Sequence, residues 1–348
     1  MKQKLLGMTP DGLREAALAV GLPSFAGKQL AGWLYGRRVR SFDEMTNISK
    51  AGREALRERY DLGVTAPARV VSSSDGTRKY LFEVECPVPG GTEISCVEAV
   101  MIPEEDRCTL CVSSQAGCRM GCKFCMTGRQ GWHGNLDVSQ ILNQLISVQE
   151  SQDLTNVVFM GMGEPFDNVD EVLKATEVLT ASWGFGWSPK RVTVSTVGVL
   201  PSLRRFLDGS RCHLAVSLHT PFPEERAGIM PVQKAWPLEE IVHTLKKYDF
   251  SGQRRLSFEY TMFGGFNDDK RHADALIRLL SGLECRVNLI RFHKIPDFPY
   301  DSSPQTVMER FRDRLSAHGL TCTIRASRGE DIMAACGMLA GHHGNKTS

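Results

Sequence analysis

Along residues 8–60 the apolar positions recur at helical spacing. Thr9-Pro10 ahead of Leu13, Ala16, Ala17 and Val20 predicts a capped amphipathic helix that Gly21-Leu22-Pro23 ends. A second helix is predicted over 27–35, with Leu30, Trp33 and Leu34 on one face, and a charge-rich third over 50–60. From 64 to 102 the pattern changes to short strands. Asp75-Gly76 is a hairpin signal before 79–85, and Pro89-Gly90-Gly91 is another before 93–102. Beyond Arg107, predicted strands at 108–113, 156–160, 191–195, 213–217, 256–262 and 286–290 alternate with helices near 137–150, 169–181, 199–208, 237–249 and 268–281. Such alternation implies a parallel sheet, and six units predict a partial (β/α)6 barrel in an α/β fold. Ligand groups of barrels gather at the C-terminal ends of the strands. The chain is expected to divide into an N-terminal helical accessory domain (1–60), a β-extension (61–106), the barrel core (107–300) and a C-terminal segment (301–348).

Composition narrows the class. The 348 residues carry ordinary charged and hydrophobic fractions. Residues 1–6 are basic but no apolar run follows them, and no stretch reaches the roughly 18 apolar residues of a membrane helix. Eleven cysteines, odd in number and clustered, suit a reducing cytoplasm and a metal or redox role better than a secreted disulfide framework. The net charge of +2 hides an asymmetry: residues 1–60 hold eleven Lys or Arg against six Asp or Glu, hence +5, leaving −3 for the rest. A basic front end offers a handle for nucleic acid, and solvated helix faces produce the same count. Arg37, Arg38 and Arg40 are candidate phosphate contacts, with compensation of a helix C-terminus as the plain alternative.

The chemistry concentrates in residues 115–130, Q-A-G-C-R-M-G-C-K-F-C-M-T-G-R-Q. Cys118, Cys122 and Cys125 sit in one loop, and Gly117, Gly121 and Gly128 let the backbone bend around a centre. Three thiolates suit zinc or an iron–sulfur cluster, and a missing fourth ligand leaves a position open for substrate. The C-x3-C-x2-C spacing, with Phe124 before the third Cys, resembles the cluster loop of radical S-adenosylmethionine (SAM) enzymes, in which three Cys hold a [4Fe-4S] cluster and SAM chelates the open iron. The plainer reading is a zinc knob with His133 as fourth ligand.

Other motifs fall at strand ends. Met160-Gly161-Met162-Gly163-Glu164-Pro165 combines glycines that admit a ligand with a carboxylate able to bind an ammonium group. Ser195-Thr196-Val197-Gly198 and Ser217-Leu218-His219 offer hydroxyls and an imidazole to a nucleoside, or serve as caps and turns. His293 ends the sixth strand. Glu98, with Cys96 and Val100 as period-2 neighbours, is either a general base in semi-apolar surroundings or a solvent-facing strand carboxylate. Cys336 lies in R-G-E-D-I-M-A-A-C-G, a sterically open segment, and Cys111 at the first strand's end can face it across the site. Taken alone, Cys336 reads as an inert buried cysteine.

Together, C-T-L-C-V-S-S-Q-A-G-C-R-M-G-C-K-F-C, M-G-M-G-E-P, S-T-V-G-V, S-L-H and R-G-E-D-I-M-A-A-C-G resemble the RlmN/Cfr family of radical-SAM RNA adenosine methyltransferases along the whole chain. The resemblance implies a radical-SAM barrel, one [4Fe-4S] cluster on Cys118, Cys122 and Cys125, and SAM contacts from Gly163, Glu164, Ser195, Ser217, Leu218, His219 and His293. It implies two SAM per turnover. One methylates Cys336, and the other is cleaved to a 5′-deoxyadenosyl radical that takes hydrogen from the methylated Cys336. The resulting carbon radical adds to adenine, whose C2 and C8 cannot attack a methyl sulfonium as an amine would. Glu98 then takes the adenine proton, and Cys111 attacks the Cys336 sulfur, leaving a disulfide that reductants reopen.

Two departures stand out. N-L-I-R-F-H at residues 288–293 puts His293 where the family has Asn, and G-W-H-G-N-L at 131–136 lacks the family's Arg. The expected substrate is C2 of an adenosine in the 23S rRNA peptidyl-transferase centre, with the tRNA adenosine beside the anticodon as a second target. Methylation at C8, as in the Cfr branch, is the alternative. A monomer with a reductant partner such as flavodoxin and no membrane is expected. Outside this family, a zinc-stabilised RNA-binding module or an iron–sulfur electron carrier would leave Cys111 and Cys336 without a role.

Overall fold

A computed structural model describes residues 2–88 and 90–340; Pro89 of the second turn signal and residues 341–348 of the C-terminal segment lie outside the described residues. The N-terminal helix spans Pro10–Leu18, begun by the Thr9 hydroxyl accepting the Gly12 N–H, with Leu13, Ala16 and Ala17 buried. Helix Ala26–Ala31 runs into a widened turn at Gly32–Gly36, and Lys50–Arg59 is capped by Ser49. Strand Gln3–Lys4 pairs in parallel with Tyr60–Asp61 and closes this helical unit on itself.

The arginines at 37–40 are engaged within the fold. Arg37 stacks on Trp33, Arg38 lies over Phe185 and Trp187, and Arg40 donates to the Ile146 and Val148 carbonyls at 3.2 and 2.7 Å. The last pair caps helix Val138–Ser147 across the unit boundary, so two of the three arginines join the N-terminal helices to the core.

Among the described residues one sheet of ten strands organises the rest. Its strands are β1 (Arg69–Ser72), β2 (Arg78–Val88), β3 (Gly91–Pro103), β4 (Cys108–Cys111), β5 (Asn156–Phe159), β6 (Val192–Thr196), β7 (His213–Ser217), β8 (Leu256–Met262), β9 (Arg286–Arg291) and β10 (Thr321–Ile324). They lie side by side in chain order. β1 to β4 pair antiparallel; β4 to β10 are parallel, each step crossing over through helix or coil. The sheet is open, as a partial barrel requires. Parallel strands are buried on both faces: every residue of β8 except Ser257 is buried.

Five of the six expected barrel strands end within one residue of the pattern-based bounds, and 108–113 stops two residues early, at Cys111, where the chain turns into the site. The sequence pattern does not reveal the seventh parallel strand, β10, or helix Gln305–Ala317 before it. That helix buries only Met308, Phe311 and Leu315 against a highly charged surface, too narrow a stripe to announce itself. No helix among the described residues is long and apolar enough to cross a membrane.

Candidate active site

The loop after β4 enters the site through backbone pairing. Ser114 N–H and Gln115 N–H both donate to the Met162 carbonyl, and Gln115–Gly117 forms a small hairpin with Trp132–Asn135. Gly117 and Gly121 adopt φ of +70° and +66°, where an L-residue is strained. Cys118 and Cys122 are buried and Cys125 half-buried. All three line one cavity of about 160 Å3 at the C-terminal ends of the parallel strands, with Phe124 on its wall. A larger cavity of about 560 Å3, beside Lys4 and Trp183, holds no cysteine.

Among the described residues no three His, Cys, Asp or Glu side chains converge on one point as a single-ion site would have them. His133, the fourth ligand of the zinc alternative, is exposed on its hairpin strand and does not line the cavity. A four-iron cube needs only three thiolates at separate corners, plus space beyond the fourth, and the residues present fit that group. Burial pushes the Cys118 thiol up to about 12 and Cys122 upward as well, so ligation must displace their protons.

Gly163 and Glu164 form the next wall. Gly163 has φ +99°, and a Cβ there would stand 2.6 Å from Gln115 Cβ and 2.7 Å from its backbone nitrogen. The turn therefore closes on the cysteine loop only with glycine at this position. Glu164 is buried. Its carboxylate accepts from Phe166 N–H at 3.0 Å, the Thr196 hydroxyl at 2.6 Å and Val197 N–H at 3.0 Å, while burial raises its pKa to about 7. A carboxylate offers about four lone-pair sites, so one is left for a ligand donor.

Ser195 and Ser217 line the cavity half-buried. His219 lines it too, in the left-handed region at φ 60°. Its Nδ1 accepts Thr261 N–H at 2.9 Å and burial pushes its pKa down to about 3, so it is a neutral imidazole with Nε2–H free to donate. Leu218 is fully buried and does not line the cavity; its backbone bonds to Glu259 and Arg226.

His293 departs from expectation. It is buried and does not line the cavity: Nε2 meets the Ser327 hydroxyl at 2.6 Å and Nδ1 the Glu330 carboxylate at 3.2 Å. Both ring nitrogens are engaged, and the side chain anchors the segment leading to Cys336 instead of facing the adenosyl position.

Cys336 lines the cavity beside the three loop cysteines. It is exposed, yet its surroundings are dense enough to desolvate the sulfur: burial pushes the thiol up, with Arg325 opposing and Glu259 and Cys125 adding. Cys111 is buried at the end of β4, its thiol pushed up by burial and then by neighbouring Cys336. The two thiols are near each other and both are free. Glu98, on β3, is buried, not solvent-facing. Its surroundings are polar, not semi-apolar: its carboxylate pairs with the Lys79 ammonium at 3.0 Å and accepts Ala340 N–H at 2.8 Å.

Three residues escaped the sequence reading. Glu259 lines the cavity; one carboxylate oxygen accepts from Ser257 and Asn288, and the other is buried with no hydrogen-bond partner among the described residues. Arg226 is wholly buried and donates to the carbonyls of Val197, Ser217 and Leu218, binding the ends of β6 and β7 together. Lys79 is the ammonium at Glu98. An Arg in a charged helix or a Lys in a mixed strand carries no local signal; Glu259, the one charge in its apolar strand, broke that strand's pattern.

A parallel sheet whose strand ends gather three cysteines of one loop and a glycine-flanked glutamate defines a radical SAM enzyme, and residues 112–276 match the Radical SAM superfamily. A radical SAM methyltransferase from Sphaerobacter thermophilus superposes with a TM-score of 0.90 at 35% identity, covering 98% of this chain and all of that one. Residues 3–62 match the Ribosomal RNA large subunit methyltransferase N-terminal domain. The chain is 60% identical over 97% of its length to a probable dual-specificity RNA methyltransferase RlmN of Porphyromonas gingivalis, of which it covers 96%. It is 40% identical over 96% of its length to the dual-specificity RNA methyltransferase RlmN of Syntrophus aciditrophicus, of which it covers 95%. The chain belongs to the RlmN family of radical SAM methyltransferases, whose chemistry uses a [4Fe-4S] cluster and SAM.

Proposed function

We propose that this enzyme methylates C2 of adenosine in 23S rRNA, and the tRNA adenosine beside the anticodon, through a methyl group carried on Cys336. The observation that carries the reading is that Cys336 lines the cavity of the cluster cysteines while Cys111, buried at the end of β4, neighbours it, both thiols being free. Cys118, Cys122 and Cys125 would hold one [4Fe-4S] cluster. Glu164 would accept the SAM ammonium on its remaining lone pair, and Gly163, Ser195, Ser217 and His219 would line the cofactor. When bound, the cluster and SAM supply an electron, a methyl group and a carbon radical able to remove hydrogen from an unactivated methyl.

The chain's own residues do the rest. Cys336 gives up its proton, accepts a methyl from one SAM and presents that carbon to adenine; a second SAM is consumed in each turnover. Glu98 takes the proton from the substituted ring carbon. Cys111 attacks the Cys336 sulfur, the bond from that sulfur to the transferred carbon breaks, the carbon takes up a proton to become the product methyl, and the disulfide left behind is reopened by cellular reductants. The segments 1–60, 61–106, 107–300 and 301–348 act as RNA handle, cradle, SAM core and methyl carrier. A flavodoxin-like donor supplies electrons to a cytoplasmic monomer.

The test is mass spectrometry of RNA digested after anaerobic incubation of reconstituted enzyme with SAM, reductant and unmodified 23S rRNA or tRNA. The expected outcome is 2-methyladenosine that vanishes in Cys336→Ala. Formation of 8-methyladenosine would move the enzyme to the Cfr-like alternative, and zinc-loaded protein giving neither product would sink the catalytic reading.

A further inference from the structure

The segment bearing Cys336 is held against the β-extension through four points. Asp75 accepts Gly329 N–H at 3.0 Å, and Asp331 accepts from the Ser73 hydroxyl at 2.6 Å and Ser74 N–H at 3.1 Å. Lys79 donates to the Met333 carbonyl at 3.2 Å, and Glu98 accepts Ala340 N–H at 2.8 Å. Cys336 lies in the interval between the last two. Lys79 and Glu98 also pair with each other at 3.0 Å, with side chains only 14% and 6% exposed. The strands explain the meeting: Lys79 stands opposite Val100 and Leu81 opposite Glu98, so the two are diagonal neighbours on one face of the β2–β3 ribbon. One ammonium therefore touches both the carboxylate and the loop, and the carboxylate grips the loop's other shoulder.

We propose that Lys79 is a positioning residue that fixes the distance between the Glu98 carboxylate and the methyl-carrying sulfur of Cys336. The proposal rests on the roles given to those two residues above. In that chemistry the base must reach the hydrogen on the same ring carbon that the Cys336 methyl group has joined. Two groups on separate segments must thus be located relative to one atom, and a displacement near 1 Å costs on the order of 100-fold in rate. A desolvated ion pair that also binds the loop backbone meets this need; a packed helix would meet it too, but would hold the loop too rigidly to let Cys336 turn toward Cys111.

The test compares Lys79→Met, which keeps the aliphatic stem, with Lys79→Arg, which keeps the charge, in cluster-reconstituted full-length protein. Three quantities are read: hydrogen exchange in peptides covering 329–340, SAM-dependent methylation of Cys336 by intact-protein mass spectrometry, and RNA methylation at saturating SAM and RNA. Lys79→Met is expected to keep iron content and Cys336 methylation within about threefold and to lose RNA turnover on the order of 100-fold. It is also expected to accumulate protein joined covalently to RNA through Cys336 and to speed exchange at 329–340 but not in β5 to β9. Lys79→Arg restores most of the turnover. Wild-type turnover in Lys79→Met would overturn the proposal. So would parallel loss of Cys336 methylation and RNA methylation with exchange at 329–340 unchanged. If wild-type Cys336 is never methylated, the carrier reading fails instead, while the exchange result still reports whether Lys79 holds the loop.

Discussion

Residues 115–126 and residues 325–340 bring cysteines to the same cavity, the first by local geometry and the second by long-range hydrogen bonds. In the first, three thiols lie within eight residues, and the loop is locked by backbone pairing to Met162 and Gly131 and by Gly117, where a Cβ would stand 2.0 Å from the Gly131 carbonyl oxygen. In the second, one thiol sits on a chain with left-handed turns at Gly329, Met333 and Gly337, tied by side chains from the β1–β2 turn, β2 and β3. Each such bond is worth about 1 kcal/mol net and can open singly, whereas the packed loop opens only with the core around it. The contrast matches the roles proposed for the two segments. A cluster site has to stay put; a methyl carrier has to visit a methyl donor, an RNA base and a resolving thiol in turn.

The comparison breaks most visibly at the cysteines. Cys122→Ala is expected to lose iron and SAM binding together, while Cys336→Ala keeps both and loses RNA methylation entirely; iron analysis, SAM binding and digested-RNA mass spectrometry separate the two. If Cys336→Ala also lost iron, the loops would not be independent. Next in size is Gly163→Ala, which forces a Cβ into Gln115 at positive φ. It is expected to destabilise the fold by about 3 kcal/mol and weaken SAM binding, read by thermal unfolding and equilibrium binding. A variant as stable as the parent would mean that the loop yields where the packing says it cannot.

Glu164 sharpens the point through pH. Its folded pKa near 7 lies above that of an exposed glutamate because burial disfavours the charge. The folded state therefore binds this proton more tightly than the unfolded state, so its contribution is most favourable at low pH and is lost as pH rises through about 7. The swing is about 3 kcal/mol at most. Melting of cluster-free protein between pH 5 and 8 should show this decline, and Glu164→Gln should flatten it; equal slopes would remove Glu164 as the cause. The smallest effect is expected in the segment held by long-range hydrogen bonds: Asp75→Ala frees Gly329 N–H and should cost about 1 kcal/mol, with faster exchange confined to 329–340.

The division between what was legible in the sequence and what was not follows the same line. Chemistry carried by neighbours in the chain could be read directly: the three loop cysteines, the Gly163-Glu164 turn and the barrel strands from β4 to β9 announce themselves by spacing and period, because local geometry alone determines which of those residues can meet. Glu98 and Cys336 were visible as candidates, but nothing local says that one carboxylate would grip the backbone four residues beyond the other's sulfur. His293 shows the limit. Its position in the motif pointed to the cofactor, and packing turned both ring nitrogens to Ser327 and Glu330. Lys79, Arg226 and the unpartnered oxygen of Glu259 lay wholly beyond reach. A lone charge in a strand or helix has the same sequence signature whether it faces water or a buried partner. Pairing of β2 with β3 brought Lys79 to Glu98, and only the packing of that ribbon against a segment some 250 residues later brought the same ammonium to the Met333 carbonyl.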